Sequence, residues 1–166
     1  MERGYDECHH AVYGRAKLTA GVGMQPDKVD LTEETVPLSR TGPLRGICFD
    51  PETHTFTIQH TGTYVIDYFV KAFSVSSAYK AFITIAVVIN DTQKAVMTLD
   101  AIHARYTSEE VRTSFLGNGI TFENLRKGDT VKLVVVGTNG LVDPFYGSLA
   151  ESEVAYLAIH KAETSE

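Results

Sequence analysis

The sequence predicts an all-β domain, and three observations predict it. From Tyr13 onward no stretch repeats its apolar residues at helical spacing. Turn residues (Gly, Pro, Asn, Asp) recur roughly every 8 to 14 positions, the punctuation of a sandwich or barrel. The segments between them are rich in Val, Ile, Thr, Tyr and Phe, which suit a pleated, half-buried surface. With 166 residues and 43% hydrophobic composition, the chain has the material for one domain with its own core.

Residues 1–12 are polar and aperiodic and read as a flexible leader. Tyr13 to Ala20 is the first strand, closed by Gly21-Val22-Gly23. Val36 to Leu38 is a short edge piece, because Pro37 cannot donate to a ladder. Gly46 to Phe49 runs into Asp50-Pro51-Glu52-Thr53, a turn with proline in its favoured second position, and Thr55 to Gln59 returns. Thr63 to Phe73 is a long strand. Its even positions, Tyr64, Ile66, Tyr68, Val70 and Ala72, are uniformly apolar and are expected to face the core. Its odd positions mix Asp67 and Lys71 with Val65, Phe69 and Phe73, more grease than a solvated face needs.

Ala81 to Ile89 is apolar on both faces and reads as a central strand; Asn90-Asp91 turns it into Lys94 to Leu99. Thr113 to Leu116 and Ile120 to Glu123 flank Gly117-Asn118-Gly119, where a bulge or bend is expected. After the turn Arg126-Lys127-Gly128-Asp129, Thr130 to Val136 is a strand, Gly137 to Gly147 a long loop, and Glu153 to His160 the last strand. The expected division is a leader over 1–12, a head domain over 13–161 and a tail over 162–166.

Charge and composition exclude some functions. A net charge of −6 argues against a nucleic-acid surface, which carries a basic footprint. The longest apolar run, Phe82 to Ile89, falls far short of the roughly 20 residues of a membrane span, so no membrane insertion is expected. MERGYDECHH has no apolar signal region, so export by a Sec-type signal peptide is not expected. Two cysteines make no disulfide framework. Cys48, opening an apolar segment, is expected as a small buried hydrophobe, and Cys8, in the leader, as an exposed thiol able to link subunits; a pairing of the two with each other stays open.

Three segments then carry a resemblance. GICFDPETHTFTIQHTGTYVIDYFVKAF contains Gly62, Tyr64 and Ile66 in a Gly-x-Tyr-x-Ile pattern; LRKGDTVKLVVV spans Leu125 to Val136; EVAYLAIH spans Glu153 to His160. In order and spacing they resemble the jelly-roll heads of tumour necrosis factor-like cytokines and of complement-type and bacterial collagen-like proteins; the resemblance is strongest to bacterial collagen-like and spore-surface heads, because the loops are short and cysteine-poor. Two positions depart from the pattern: Ala155 stands where glycine is common, and Asp67 sits on a face that is usually apolar.

The resemblance implies a jelly-roll sandwich of about ten strands, assembled as a homotrimer with one sheet's outer face buried at the three-fold axis. On this reading Val65, Asp67, Phe69 and Phe73, with Ala155, Leu157 and Ile159 of the last strand, form the trimer interface. Copies of Asp67 brought together there need a cation, a basic partner such as Lys71, or a proton. The implied function is a non-enzymatic structural module of a bacterial surface or spore-coat assembly, located at the spore or cell surface, with Cys8 and the leader linking to other subunits. The alternative is a head recognising a glycan or protein receptor through end loops, with Tyr106, Phe145 and Tyr146 as candidates.

No motif for chemistry competes with this. Gly-x-Ser-x-Gly, a Walker-type Gly-Lys and Cys-x-x-Cys are missing from the sequence. His54 and His60 span a turn without the carboxylate a jelly-roll metal enzyme needs nearby, and His9-His10 with Glu7 or Cys8 reads as a solvated run. Glu109-Glu110 reads as solvated charge, and Asn90-Asp91-Thr92, a glycosylation triplet by pattern, reads as a hairpin turn. No enzyme activity, cofactor or metal is expected.

Overall fold

The computed structural model describes residues 11–20, 34–76, 80–102, 111–139, 142–144 and 152–162. Among them are twelve strands: β1 (Tyr13–Ala20), β2 (Glu34–Thr35), β3 (Arg40–Thr41), β4 (Ile47–Asp50), β5 (Thr55–Ile58), β6 (Gly62–Ser76), β7 (Lys80–Ile89), β8 (Thr92–Ile102), β9 (Val111–Leu125), β10 (Thr130–Asn139), β11 (Val142–Pro144) and β12 (Ser152–Lys161). The first sheet runs β3-β1-β12-β6-β9, with β11 also on β6. The second runs β4-β5-β10-β7-β8, with β2 also on β10. All pairings are antiparallel.

The long strands alternate between sheets. The chain passes from β5 in the second sheet to β6 in the first, back to β7 and β8, across to β9, back to β10 and across to β12. Strands remote in sequence are therefore neighbours, β1 beside β12 and β5 beside β10, which makes this a jelly-roll sandwich. The expected fold class holds, with short strands added at the edges.

Period-two patterning builds the core. Tyr64, Ile66, Tyr68 and Val70 of β6 meet Ile83, Ile85, Val87 and Ile89 of β7 and Val131, Leu133 and Val135 of β10, all buried. Burial of each large apolar side chain contributes roughly 1.5–3 kcal/mol, so this interior is the main driving force for the fold. The C-terminal half of β7 is buried on both faces: Ala86 and Val88 form a second small cluster with Val134 on the outer side of the second sheet, while Phe82 and Thr84 before them are half-buried.

Several local expectations are corrected. Gly117-Asn118-Gly119 is no bulge; β9 pairs with β6 without interruption from Val111 to Leu125. Register shifts lie instead in β10 between Val135 and Gly137, in the β1–β12 pairing between Leu18 and Thr19 and in the β7–β8 pairing between Val87 and Val88; β10 continues to Asn139, so the expected loop after Val136 begins later and holds β11. Val36 and Leu38 are fully buried but follow the short strand β2 rather than forming one. The Val36 amide donates to the Leu133 carbonyl, and His54 Nδ1 lies 2.8 Å from the Leu38 carbonyl oxygen. Cys48 is exposed and free, because β4 points Ile47 inward and Cys48 out; Gln59 Nε2 donates to its sulfur at 3.4 Å. Val12, assigned to the leader, is buried, and its carbonyl accepts from the Lys161 amide.

The turns form as their residues dictate. Asp50 Oδ1 accepts the Glu52 and Thr53 amides at 2.8 and 3.4 Å, and these bonds hold its carboxyl below the usual aspartate range. Asn90 and Asp91 both have positive φ, +48° and +63°, the mirror-image turn that suits a two-residue hairpin.

Candidate functional site: the outer face of the first sheet

Register places the outward side chains of β1, β12, β6 and β9 in three transverse rows. Tyr13, His160, Val65 and Phe122 make the first; Arg15, Ala158, Asp67 and Ile120 the second; Lys17, Tyr156, Phe69 and Asn118 the third. The intervening rows point inward, for example Ala16, Leu157, Tyr68 and Gly119.

The β9 end of this face breaks the usual rule for a sheet with one wet side. Ile120 and Phe122 point to solvent with 59% and 69% exposure, while Thr121 and Glu123 are the half-buried pair. Thr121 Oγ1 donates to Glu123 Oε1 at 3.2 Å, which gives the inward hydroxyl a partner. With Val65 and Phe69 beside them, Ile120 and Phe122 form a contiguous apolar patch.

The middle of the face is ordered by Tyr156. Its ring stacks on Phe69 with centroids 5.5 Å apart and planes 17° apart, and the Arg15 guanidinium carbon lies 4.8 Å from its centroid on the sheet's outer side. Its hydroxyl donates to Asp67 Oδ1 at 3.1 Å. Asp67 is half-buried, between Ala158 and Ile120 in its row. Basic residues occupy the opposite end: Arg15 and Lys17 on β1, with Arg40 opposite Lys17 on β3.

The structure thus sorts the sequence-predicted interface residues. Val65, Asp67 and Phe69 share the outward face of β6. Phe73 lies on β6 opposite Asp143 and Ser114, and its side chain is outside the described residues. Ala155, Leu157 and Ile159 are corrected: they are 0%, 0% and 1% exposed within one chain, so they have no surface left for a neighbour. The apolar alternation of β12 marks the core face, and Tyr156, Ala158 and His160 are the residues it turns outward. Cys8, Tyr106, Phe145 and Tyr146 lie outside the described residues.

Sequence reasoning missed Ile120 and Phe122. Their signal was available as an inverted alternation, apolar at 120 and 122 and polar at 121 and 123, but its direction depends on which face of β9 meets Tyr68. Among the described residues no three His, Cys, Asp or Glu side chains come together as a metal site.

No family model matches this chain, and no curated protein matches it. Among solved structures it is similar to the Eiger TNF of S. frugiperda, at 12% identity, with 94% of this chain and 95% of that one covered and a TM-score of 0.49, a likeness confined to the fold.

Proposed function

We propose that this chain is a non-enzymatic head that assembles with copies of itself, three around one axis, through the outer face of the sheet containing β6, β9 and β12. The observation that carries this reading is the solvent exposure of Phe122 and Ile120 beside Val65 and Phe69. Sandwich proteins that stay single put polar residues there, and an apolar patch of this kind marks a contact surface. Covering Phe122 and Ile120 contributes roughly 1.5–3 kcal/mol for each side chain in each copy. Three-fold closure uses a contact between two different parts of the face, its apolar and basic ends, which suits the asymmetry across the rows. In its most specific form the head is a subunit of a bacterial surface or spore-coat assembly, a reading supported by the sequence resemblance to such heads.

Sedimentation equilibrium of the full chain tests the assembly. The expected mass is three times 18.2 kDa, falling to 18.2 kDa when Ile120 and Phe122 are both changed to glutamate, with an unchanged circular dichroism spectrum. A wild-type mass of 18.2 kDa at every concentration overturns the reading.

A further inference from the structure

We propose that Asp67 selects the neighbouring copy: its carboxylate receives a lysine, Lys17 or Lys71, from the same face of an adjacent chain. The inference rests on the self-association reading above and names the polar contact that fixes its register.

Asp67 is the one carboxylate among the described outward positions of the three rows, and it lies within the part that assembly covers. A carboxylate has about four acceptor sites. Within the chain Asp67 has one hydrogen bond, from the Tyr156 hydroxyl, and no ion pair among the described residues. Arg15, in the same row, lies over the Tyr156 ring. Lys71 shares the outward side of β6 but stands four residues along, roughly 13 Å away at strand rise, beyond a direct contact. In a single chain, water completes the carboxylate's solvation. When a second apolar face displaces that water, the charge must be matched, because a buried carboxylate without a cation is strongly unfavourable.

The cations for this are already on the face. Lys17 and Lys71 are half-buried outward side chains and have no ion pair among the described residues. The face therefore carries both halves of a pair that one chain cannot close, which is the arrangement for pairing in trans. Each copy also carries a net charge of −6, so association is opposed at long range and a specific attractive contact is needed to set which surfaces meet.

The test uses the full chain in sedimentation at low and high salt. Asp67→Asn keeps an acceptor for Tyr156, so its circular dichroism spectrum, and its melting temperature at concentrations where chains are single, are expected to match wild type. Its dissociation constant is expected to rise on the order of tenfold or more at low salt, with a weaker salt dependence. Asp67→Lys is expected to leave monomers, and adding Lys17→Glu or Lys71→Glu to it to restore the assembly. An Asp67→Asn chain that assembles with wild-type affinity, or an Asp67→Lys chain that neither second change rescues, overturns the proposal. The self-association reading falls separately, if wild type is monomeric or the paired Ile120 and Phe122 glutamates assemble normally.

Discussion

Gly119 lies against the ring of Tyr68: a Cβ at position 119 would meet the ring's Cζ and hydroxyl oxygen at 2.4 Å. The two residues are directly opposite in the β6–β9 ladder and both point inward, so the missing side chain of one makes room for the phenol of the other. Gly117, two residues earlier, gives the same room to Leu99 of β8, where a Cβ would approach Cδ2 to 2.3 Å. The glycines serve packing between the sheets rather than a bend.

This orders three alanine substitutions. Gly119→Ala is expected to cost about 1–3 kcal/mol, because the Tyr68 ring is buried and cannot swing away. Gly117→Ala costs less, since half-buried Leu99 can change rotamer. Gly62→Ala costs least, because the clash at 2.4 Å is with the flexible end of Lys161. Urea denaturation of the three variants checks the order.

Leu157→Ala is expected to destabilise the fold by about 2–5 kcal/mol, the range for a large core residue cut to alanine. Phe122→Ser is expected to leave the monomer's stability within about 0.5 kcal/mol, as for an exposed site. Chemical denaturation at concentrations where chains are single separates the two, and the reverse order would place Leu157 on the surface.

The hydrogen bonds of Arg126 and Asn90 to Asp129 make stability sensitive to acid. Asp129 Oδ2 accepts the Arg126 amide at 2.7 Å and Oδ1 the Asn90 side-chain amide at 2.9 Å, and these bonds, the amide first, hold its carboxyl below the ordinary value of 3.8. A lowered pKa means a contribution that is present above the unfolded value and lost as pH falls through the folded one. Asp129→Ala is therefore expected to lower stability at neutral pH, on the order of 1 kcal/mol, and to match wild type once the pH is below the folded value. Thermal melts across that range measure the convergence.

Tyr64 and Tyr68 act at the other end of the scale. Burial raises both phenols above the usual value of 10.0, and the Tyr64 hydroxyl donates to the His60 carbonyl. A raised pKa contributes stability that is complete below the unfolded value and is lost as pH climbs past it. Ultraviolet titration of the eight tyrosines is expected to include a fraction that ionises late and together with unfolding, carried by Tyr64 and Tyr68. Ionisation of all eight in a folded chain contradicts the buried placement.

Cys48 is expected to react with a thiol reagent in the native state, because its side chain is exposed. A Cys8→Ser variant isolates it: one thiol per chain should be labelled without denaturant, with the circular dichroism spectrum unchanged.

Local pattern alone determined that this is an all-β sandwich or barrel, placed β1, β4, β5, β7 and β12 to within a residue at each end, and put Tyr64, Ile66, Tyr68 and Val70 on the core face. These follow from period-two burial and from turn residues whose preferences are properties of single positions. Tertiary structure decided what the pattern left two-valued. The apolar residues of β12 read equally well as core or interface, and only the pairing of Leu157 with Tyr68 and Ala16 turns them inward. Gly117 and Gly119 suggest a bend until Tyr68 and Leu99 are seen to fill their space, and Ile120 and Phe122 become outward residues only once β9 is fixed against β6. A strand sequence fixes which residues share a face; which of the two faces is dry depends on neighbours far away in the chain.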